Sequence, residues 1–479
     1  MAERGRKRAR PPGDSVLRLV SPKAKALDPG LDPQELVRRI LCPIPLDTFL
    51  SECWAEKVVA VQGPARRVAP LCRACGGLQL EEMLELTPSE QVHAWLKGEQ
   101  GTVRSVSVDA AAAMGLAEAK AALYFRAPEA LEDLLVPGLC QGLGAAFAGM
   151  YPVGSSESSG DGRPRGEIET FVSQGGHVTG WHTDFQHNFT FQLRGAKRWR
   201  FKPGPVRNNV RALTPHFQTR SNFEQQMKLH AISDPSMPDF KPPDEFFQDA
   251  EVVEIHAGDV LYHPAGVWHQ VESAGEGESI SINVSLSCAT WAEMVGDAVR
   301  QALWRSEPLR SPLVGLAGRE LADVRREVEV QLREAKKRIN ALTAEDLLAP
   351  VMLDRPPEHI HLGRSSLGKS FKVSQSSRFR FSRLAALVEL PEDASEEELQ
   401  NTKCFALHLN FGNEDVGSWL RVSLLAPKKL QPALAWLARQ ASAQRELTAK
   451  ELLAASKCSW PSLARLLQVL QYCGYIHPL

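Results

Sequence analysis

The chain has 479 residues, 43% of them hydrophobic, and 56 Lys+Arg against 57 Asp+Glu leave a formal net charge of -1. That length and apolar content can bury a sizeable core and suggest roughly two to four domains. The balanced charge excludes a whole-chain attraction to nucleic acid or to an anionic membrane, so any charged partner is met locally. No apolar run approaches the roughly 18 residues that cross a bilayer, and no apolar stretch follows the N-terminal charges as a secretory signal requires.

The nine cysteines are odd in number and irregularly spaced, which fits a reducing compartment better than a disulfide scaffold. Cys72 and Cys75 form a lone CxxC. With no second pair nearby, they read as ordinary thiols rather than a zinc or redox site.

In chain order, residues 1–30 read as a disordered tail. Its basic cluster RGRKRAR at 4–10, followed by Pro11 and Pro12, could act as a nuclear-import signal, so the expected location is nuclear or cytoplasmic. Residues 31–290 read as one catalytic domain. DPQELVRRIL and PLDTFLSECWAEKVVAVQG give two short helical pieces and then a β-branched run at 58–61. Between 77 and 135, helix-like LQLEEMLEL and APEALEDLL alternate with strand-like TVRSVSVDA, which puts helices outside a sheet. GSSESSGDGRPRGE at 154–167 reads as a loop within the domain. From 168 to 290, short β-like runs separated by Gly, Pro and Asn have the rhythm of a double-stranded β-helix, or jelly roll. The stretch 203–250, rich in Pro and polar residues, reads as a long insertion with some helix.

Residues 291–356 are helical in texture. Leu321, Val324, Val328, Leu332, Ala335, Ile339 and Leu342 make one apolar stripe, which must be covered either by the chain's own domain or by a second copy in a homodimer. Residues 357–479 form the last segment. Phe405, Leu407, Leu409 and Phe411 alternate as in a strand, and VSLLAP at 422–427 gives another. Thr448 with Glu451 is a capping box, and Ser459-Trp460-Pro461 opens a second helix whose Leu463, Leu466, Leu467 and Leu470 share a face before Gly474 ends it. The pattern resembles a winged helix. Its solvent face, with Lys457, Arg465 and Gln468, is only mildly basic, which favours a protein partner over DNA. The fold class is therefore α+β: a cupin-like core, a helical flank and a C-terminal winged-helix-like domain.

The chemistry concentrates in GHVTGWHTDFQHNFTFQLRGAKRWRF. His182 and Asp184, two apart, put both side chains on one face of an extended strand. AGDVLYHPAGVWHQVES supplies a third donor: a strand at 260–262, a Pro264/Gly266 turn, and His269 opening the next strand. Two imidazoles and a carboxylate on one face of a metal leave adjacent positions for a bidentate 2-oxoacid and dioxygen. Lys197, fifteen residues after His182, is placed to pair with the far carboxylate of such an acid, since a buried dicarboxylate needs a cation. His177 and His187 lie out of register with the ligand face and read as surface or hydrogen-bonding histidines. Trp181, Phe189 and Phe191 read as core, and Trp199 as packing.

WHTDFQHNFTFQLRGAKRWRF and GDVLYHPAGVWHQVE resemble the cupin-like Jumonji-C oxygenases, the group that includes the ribosomal-protein histidyl hydroxylases and the asparaginyl hydroxylase of hypoxia-inducible factor. The match is specific over roughly 165–290. It implies iron(II) ligands at His182, Asp184 and His269 and an anchor at Lys197 for the 2-oxoglutarate C5-carboxylate. It also implies a hydroxyl at Thr179 assisting that anchor, and polar co-substrate neighbours at Asn188 and Asn283. His263 departs from the family, which more often has an aliphatic residue there, and the 203–250 insertion has no clear counterpart.

The expected activity couples decarboxylation of 2-oxoglutarate by O2 to hydroxylation, most simply of a ribosomal or other translation-associated protein. Lysine demethylation uses the same chemistry. The absence of paired Cys/His zinc ligands, common in histone-reading domains, favours hydroxylation. A small-molecule oxygenase and a catalytically silent cupin-fold binding module are rival readings of the same motif. Expected partners are 2-oxoglutarate, O2, a protein substrate and a candidate second copy, with no membrane and no nucleic acid as direct substrate.

Overall fold

The structure, a computed structural model, describes residues 15–479 apart from 22–24, 89–91, 98–102, 145–165, 205, 207, 210–211, 215–241, 289, 354–358, 363–370, 390–401, 412–417 and 444–445. The basic cluster at 4–10, most of the 154–167 loop and the centre of the 203–250 insertion lie outside the described residues. The described residues form two compact units, one up to Cys288 and one from Thr290 onward.

The first unit has thirteen strands among its described residues: β1 Leu17–Val20, β2 Val58–Val61, β3 Val92–Lys97, β4 Val103–Val108, β5 Ala122–Arg126, β6 Gly166–Gln174, β7 Val178–His182, β8 His187–Arg194, β9 Ala196–Lys202, β10 Glu251–His256, β11 Val260–His263, β12 Trp268–Ala274 and β13 Glu278–Leu286. They form a nine-stranded sheet, ordered β1-β2-β11-β8-β13-β6-β5-β3-β4, and a four-stranded sheet, β10-β9-β12-β7. The jelly-roll rhythm predicted for 168–290 is the pair of sheets built by β6 to β13. The strands before it lengthen one of those sheets.

Alternation along each strand sorts side chains to two different interiors. On β2, Val59 and Val61 join the large core beneath the helices, while Val58 and Ala60 face Trp199, Phe201, Val253 and Ile255 of the smaller sheet. On β8, Phe189 and Phe191 go to the helix side, and on β13 so do Ile280, Ile282 and Val284. The alternate residues Asn188, Thr190, Ser281, Asn283 and Ser285 are buried on the other face. A buried polar face is costly unless its groups bond one another, and this face forms one wall of the candidate site.

Helices cover the outer face of the large sheet. Helix Pro33–Leu41 starts where Asp32 accepts hydrogen bonds from the Gln34 and Glu35 amides, with proline in its first turn, and it buries Leu36, Val37, Ile40 and Leu41. It meets helix Glu129–Gly142 at Gly142, where a Cβ would lie 2.3 Å from the Pro33 carbonyl oxygen. Only glycine permits that approach.

The second unit contains helices Trp291–Trp304 and Leu321–Asn340, and strands β14 His359–His361, β15 Arg378–Phe381, β16 Ala386–Glu389, β17 Thr402–Phe411, β18 Ser418–Pro427, β19 Leu447–Thr448 and β20 Ile476–Pro478. Its sheets run β14-β18-β17-β16 and β19-β15-β20. Segments 291–356 and 357–479 fall in this one unit. The stripe on Leu321–Asn340 stays open within the chain: Leu321, Val328 and Leu332 are each more than half exposed. The Thr448/Glu451 capping box is present, and helix Trp460–Tyr472 buries Leu463, Leu466, Leu467 and Leu470.

Candidate metal centre

His182 is the last residue of β7 and Asp184 follows just beyond the strand, while His269 is the second residue of β12, directly opposite His182 in the β7/β12 pairing. The strand register thus sets two imidazoles face to face, with ring centroids 4.0 Å apart. One ligand atom from each of His182, Asp184 and His269 lies within 4.8 Å of the others, a span that a single ion can bridge. The chain around Asp184 is pinned. Its carbonyl accepts from the Gly266 amide and from Asn209 Nδ2, both at 2.9 Å, and Thr183 exchanges backbone hydrogen bonds with Leu213.

The protonation pattern suits metal binding. His182 Nδ1 lies 2.7 Å from the Gly180 carbonyl oxygen, and His269 Nδ1 lies 3.1 Å from that of Val267. A carbonyl only accepts, so each Nδ1 donates its proton to it, which leaves Nε2 as the nitrogen turned toward the cluster, the orientation a metal-ligating histidine needs. Asp184 Oδ2 sits 3.5 Å from His269 Nε2 and accepts a hydrogen bond from Asn188 Nδ2 at 2.9 Å. Burial raises the Asp184 pKa, opposed by His182 and by that hydrogen bond. Two imidazoles with one carboxylate and three coordination positions left over fit iron(II).

These groups open into a cavity of about 250 Å³, also lined by Thr179, Lys197, Trp199, His263 and Asn283. Lys197 sits on β9 just after the turn at Gly195, whose φ of +67° requires glycine. Its ammonium is buried, donates to Ser281 Oγ at 2.7 Å and lies 4.9 Å from the centre of the Phe171 ring. No carboxylate of the described residues forms an ion pair with it. Desolvation pushes its pKa down to about 7, as expected of a cation buried without an anion.

The structure brings the four strongest sequence-predicted residues, and Thr179, to one cavity. It separates the two asparagines: Asn283 lines the cavity, whereas Asn188 is buried behind Asp184 and reaches it by its amide. His187 stacks on Trp54 with ring centroids 4.0 Å apart, and its Nδ1 lies 2.9 Å from the Tyr262 hydroxyl, which itself accepts from the Ala55 amide. Burial drives the His187 pKa down to about 3, so the ring is neutral. His177 is partly buried beside Trp95. Phe189 and Phe191 are core, and Trp181 packs on Phe247 in a smaller cluster with Trp268. Trp199 both packs between the sheets and walls the cavity. The odd residue His263 is buried on the cavity wall, its ring 4.4 Å from that of His269, and burial holds its pKa well below the ordinary histidine range.

Two cavity residues are not evident from sequence. Glu169 on β6 and Tyr124 on β5 line the same wall, joined by a 2.6 Å hydrogen bond. Burial and the charge of Glu167 raise the Glu169 pKa, while hydrogen bonds from Tyr124 and Asn283 oppose the rise. A single glutamate on a strand reads as solvated. The only available signal is the acid pair Glu167 and Glu169 at strand spacing in a segment that is otherwise core-forming.

Residues 129–287 match the model of the cupin-like domain family. Among curated proteins, the chain is 23% identical over 276 residues to YxbC of Bacillus subtilis, covering 56% of this chain and 76% of that protein. It is 27% identical over 170 residues to JmjC domain-containing protein D of Dictyostelium discoideum, covering 34% and 33%. It is 32% identical over 124 residues to the bifunctional lysine-specific demethylase and histidyl-hydroxylase NO66 of the same organism, covering 26% and 20%. The chain therefore spans a third or less of the length of these two Dictyostelium relatives. Among solved structures, ycfD of Escherichia coli aligns with a TM-score of 0.40 at 16% identity, covering 91% of this chain and 98% of that one. Residues 129–287 thus match a cupin-like domain, the chain has JmjC-domain proteins among its relatives, and His182, Asp184 and His269 form a cluster able to hold a metal ion.

Proposed function

We propose that the protein is a protein hydroxylase acting on a ribosomal or other translation-associated protein, with His182, Asp184 and His269 holding the iron and Lys197 the far carboxylate of 2-oxoglutarate. The observation that carries this reading is the pairing, across one cavity, of a tautomer-fixed His-Asp-His cluster with a buried lysine. Iron(II) and 2-oxoglutarate supply the oxidising chemistry, in which one oxygen atom of O2 enters a substrate C–H bond and the other leaves in succinate as carbon dioxide is released.

This chain's residues bind, orient and shield. The Gly180 and Val267 carbonyls hold the two imidazoles in the ligating tautomer. Lys197 supplies the charge that a buried carboxylate requires, with Thr179 and Ser281 as neighbouring hydroxyls on the cavity wall. Trp199, Phe171 and Val271 exclude water from the space between. At about 250 Å³ the cavity is smaller than the roughly 300–1,000 Å³ that encloses a drug-sized ligand. Once the co-substrate is accommodated, the remaining room suits one side chain of a protein.

The name of the NO66 relative joins hydroxylation with demethylation, and both outcomes use the same site. Mass spectrometry separates them. Ribosomal proteins incubated with the enzyme, iron(II), ascorbate and 2-oxoglutarate should gain one oxygen atom on a single side chain, and should not when Asp184→Ala enzyme is used. Loss of a methyl group instead would favour demethylation, and no change in any protein substrate would remove the hydroxylase reading.

The second unit supports two further parts of this proposal. Helix Gln431–Ser442, β19, helix Ala449–Ser456, helix Trp460–Tyr472 and β20 follow one another in the order of a winged-helix module, here suited to a protein partner. The stripe on Leu321–Asn340 is exposed at Leu321, Val328 and Leu332, with acidic residues bordering it such as Asp323 and basic ones such as Lys336 and Lys337. An antiparallel second copy would bring opposite charges together. Leu332→Glu should then turn a dimer into a monomer in sedimentation. A nuclear location would rest on residues 4–10, and a fluorescent fusion lacking them tests it.

A further inference from the structure

Glu169 belongs to no part of the ligand set, yet its carboxyl is the terminus of a hydrogen-bond chain that ends on Asp184. It accepts from the Tyr124 hydroxyl at 2.6 Å and from Asn283 Nδ2 at 3.0 Å, and Ser285 Oγ lies 3.0 Å away. Above its raised pKa of about 7 the Glu169 carboxylate is ionised and can only accept, so the Asn283 amide then presents its nitrogen to Glu169. On the opposite side of that amide the Thr190 hydroxyl donates to Asn283 Oδ1 at 2.9 Å. The same Asn283 nitrogen reaches Asn188 Oδ1 at 3.1 Å and Ser285 Oγ at 2.9 Å, and the single Ser285 proton goes either to Asn188 Oδ1, 2.7 Å away, or to Glu169. With its oxygen thus committed, Asn188 turns its nitrogen toward Asp184 Oδ2, 2.9 Å away.

With Glu169 ionised, the amide links through Asn283 and Asn188 run in one direction toward Asp184. Reversal of the Asn188 amide would put its oxygen against the Asp184 carboxylate, two acceptors facing each other in a buried place, a costly arrangement. We infer that Glu169 is a positioning residue for the metal centre: acting through Asn283 and Asn188, it fixes the polarity of the chain so that Asp184 always meets an N–H donor. That donor restrains the Asp184 carboxylate, whose Oδ2 lies 3.5 Å from His269 Nε2. Groups that orient a ligand in this way typically contribute about 10- to 100-fold to metal affinity. A glutamine at 169 has a donor as well as an acceptor, so it would permit both polarities and lose the selection.

This inference rests on the proposed role of Asp184 as a ligand, and the test separates the two. Cobalt(II) affinity is measured by calorimetry, without 2-oxoglutarate, on the full chain carrying Glu169→Gln, Asn188→Ala or both. Glu169→Gln should weaken cobalt(II) binding about 10-fold or more, with the melting temperature little changed. Asn188→Ala should weaken it comparably, and the double variant should be no worse than Asn188→Ala alone, because one residue acts through the other. Glu169→Gln binding as tightly as the wild type, or two effects that multiply, would overturn the inference while leaving the metal site standing. If Glu169→Gln folds poorly, Asn283→Ala takes its place in the cycle with the same two outcomes. Failure of the wild-type chain to bind cobalt(II) would instead count against the oxygenase reading itself.

Discussion

The two ends of the cavity are built on opposite plans. At the metal end each ligating side chain is held by a neighbour of fixed polarity: His182 by Gly180, His269 by Val267, Asp184 by Asn188. At the other end Lys197 is buried with a hydroxyl and an aromatic ring for company, and its pKa has fallen to about 7. The first end is organised before anything binds. At the second, burial disfavours the lysine charge, a cost that the proposed dicarboxylate would offset by bringing its own negative group. Stability is thus given up at one end so that binding can recover it, a common trade where a site must hold a charged ligand.

The largest test of this contrast is Lys197→Met. Removing one partner of a buried charge pair costs roughly 2–5 kcal/mol, so 2-oxoglutarate affinity should fall by about 30-fold or more, while cobalt(II) affinity stays near wild type. Equal losses in both would mean that the two ends are not separate devices. A smaller effect of opposite sign is expected in the apo protein. The folded Lys197 pKa of about 7 lies below the ordinary value near 10.4, so between those pH values the unfolded chain binds the extra proton and stability should rise with pH. Lys197→Met should lack that rise and melt higher than the wild type at pH 7, by about 2–4 °C for each kcal/mol recovered. A flat difference between the two proteins across pH 7–10 would show that the lysine is not strained. The smallest effect belongs to His263→Phe. The ring lies close to His269 but outside the ligand cluster, so cobalt(II) affinity should change by less than the roughly 10-fold lower limit expected for a ligand-orienting group. A loss as large as that of His182→Ala would make His263 a ligand.

The metal end is legible in the sequence because its chemistry demands particular residue types at short spacing: His182 and Asp184 within one strand end, His269 behind a Pro264/Gly266 turn. The strand alternation that makes β6 to β13 a jelly roll is equally readable. Glu169 and Tyr124 are not, because their proximity arises only when β5, β6 and β13 lie side by side. For Asn188 the family resemblance implies a polar neighbour of the co-substrate; its position on β8 next to β13 turns it toward Asn283 and Asp184. The early strands β3 and β5 lack clear alternation in VHAWLK and ALYFR, and only their pairing to one another and to β6 reveals them. Periodicity marks the exposed stripe on Leu321–Asn340 as a face in need of cover, but it says nothing of what covers it.

The most direct test of the central claim is an anaerobic titration of the wild-type chain with iron(II) followed by 2-oxoglutarate, watched in the visible spectrum. The account predicts a weak charge-transfer band that appears only with both present, disappears in His182→Ala, and in Lys197→Met needs far more 2-oxoglutarate to form. A correctly folded wild-type protein that gives no band would contradict it.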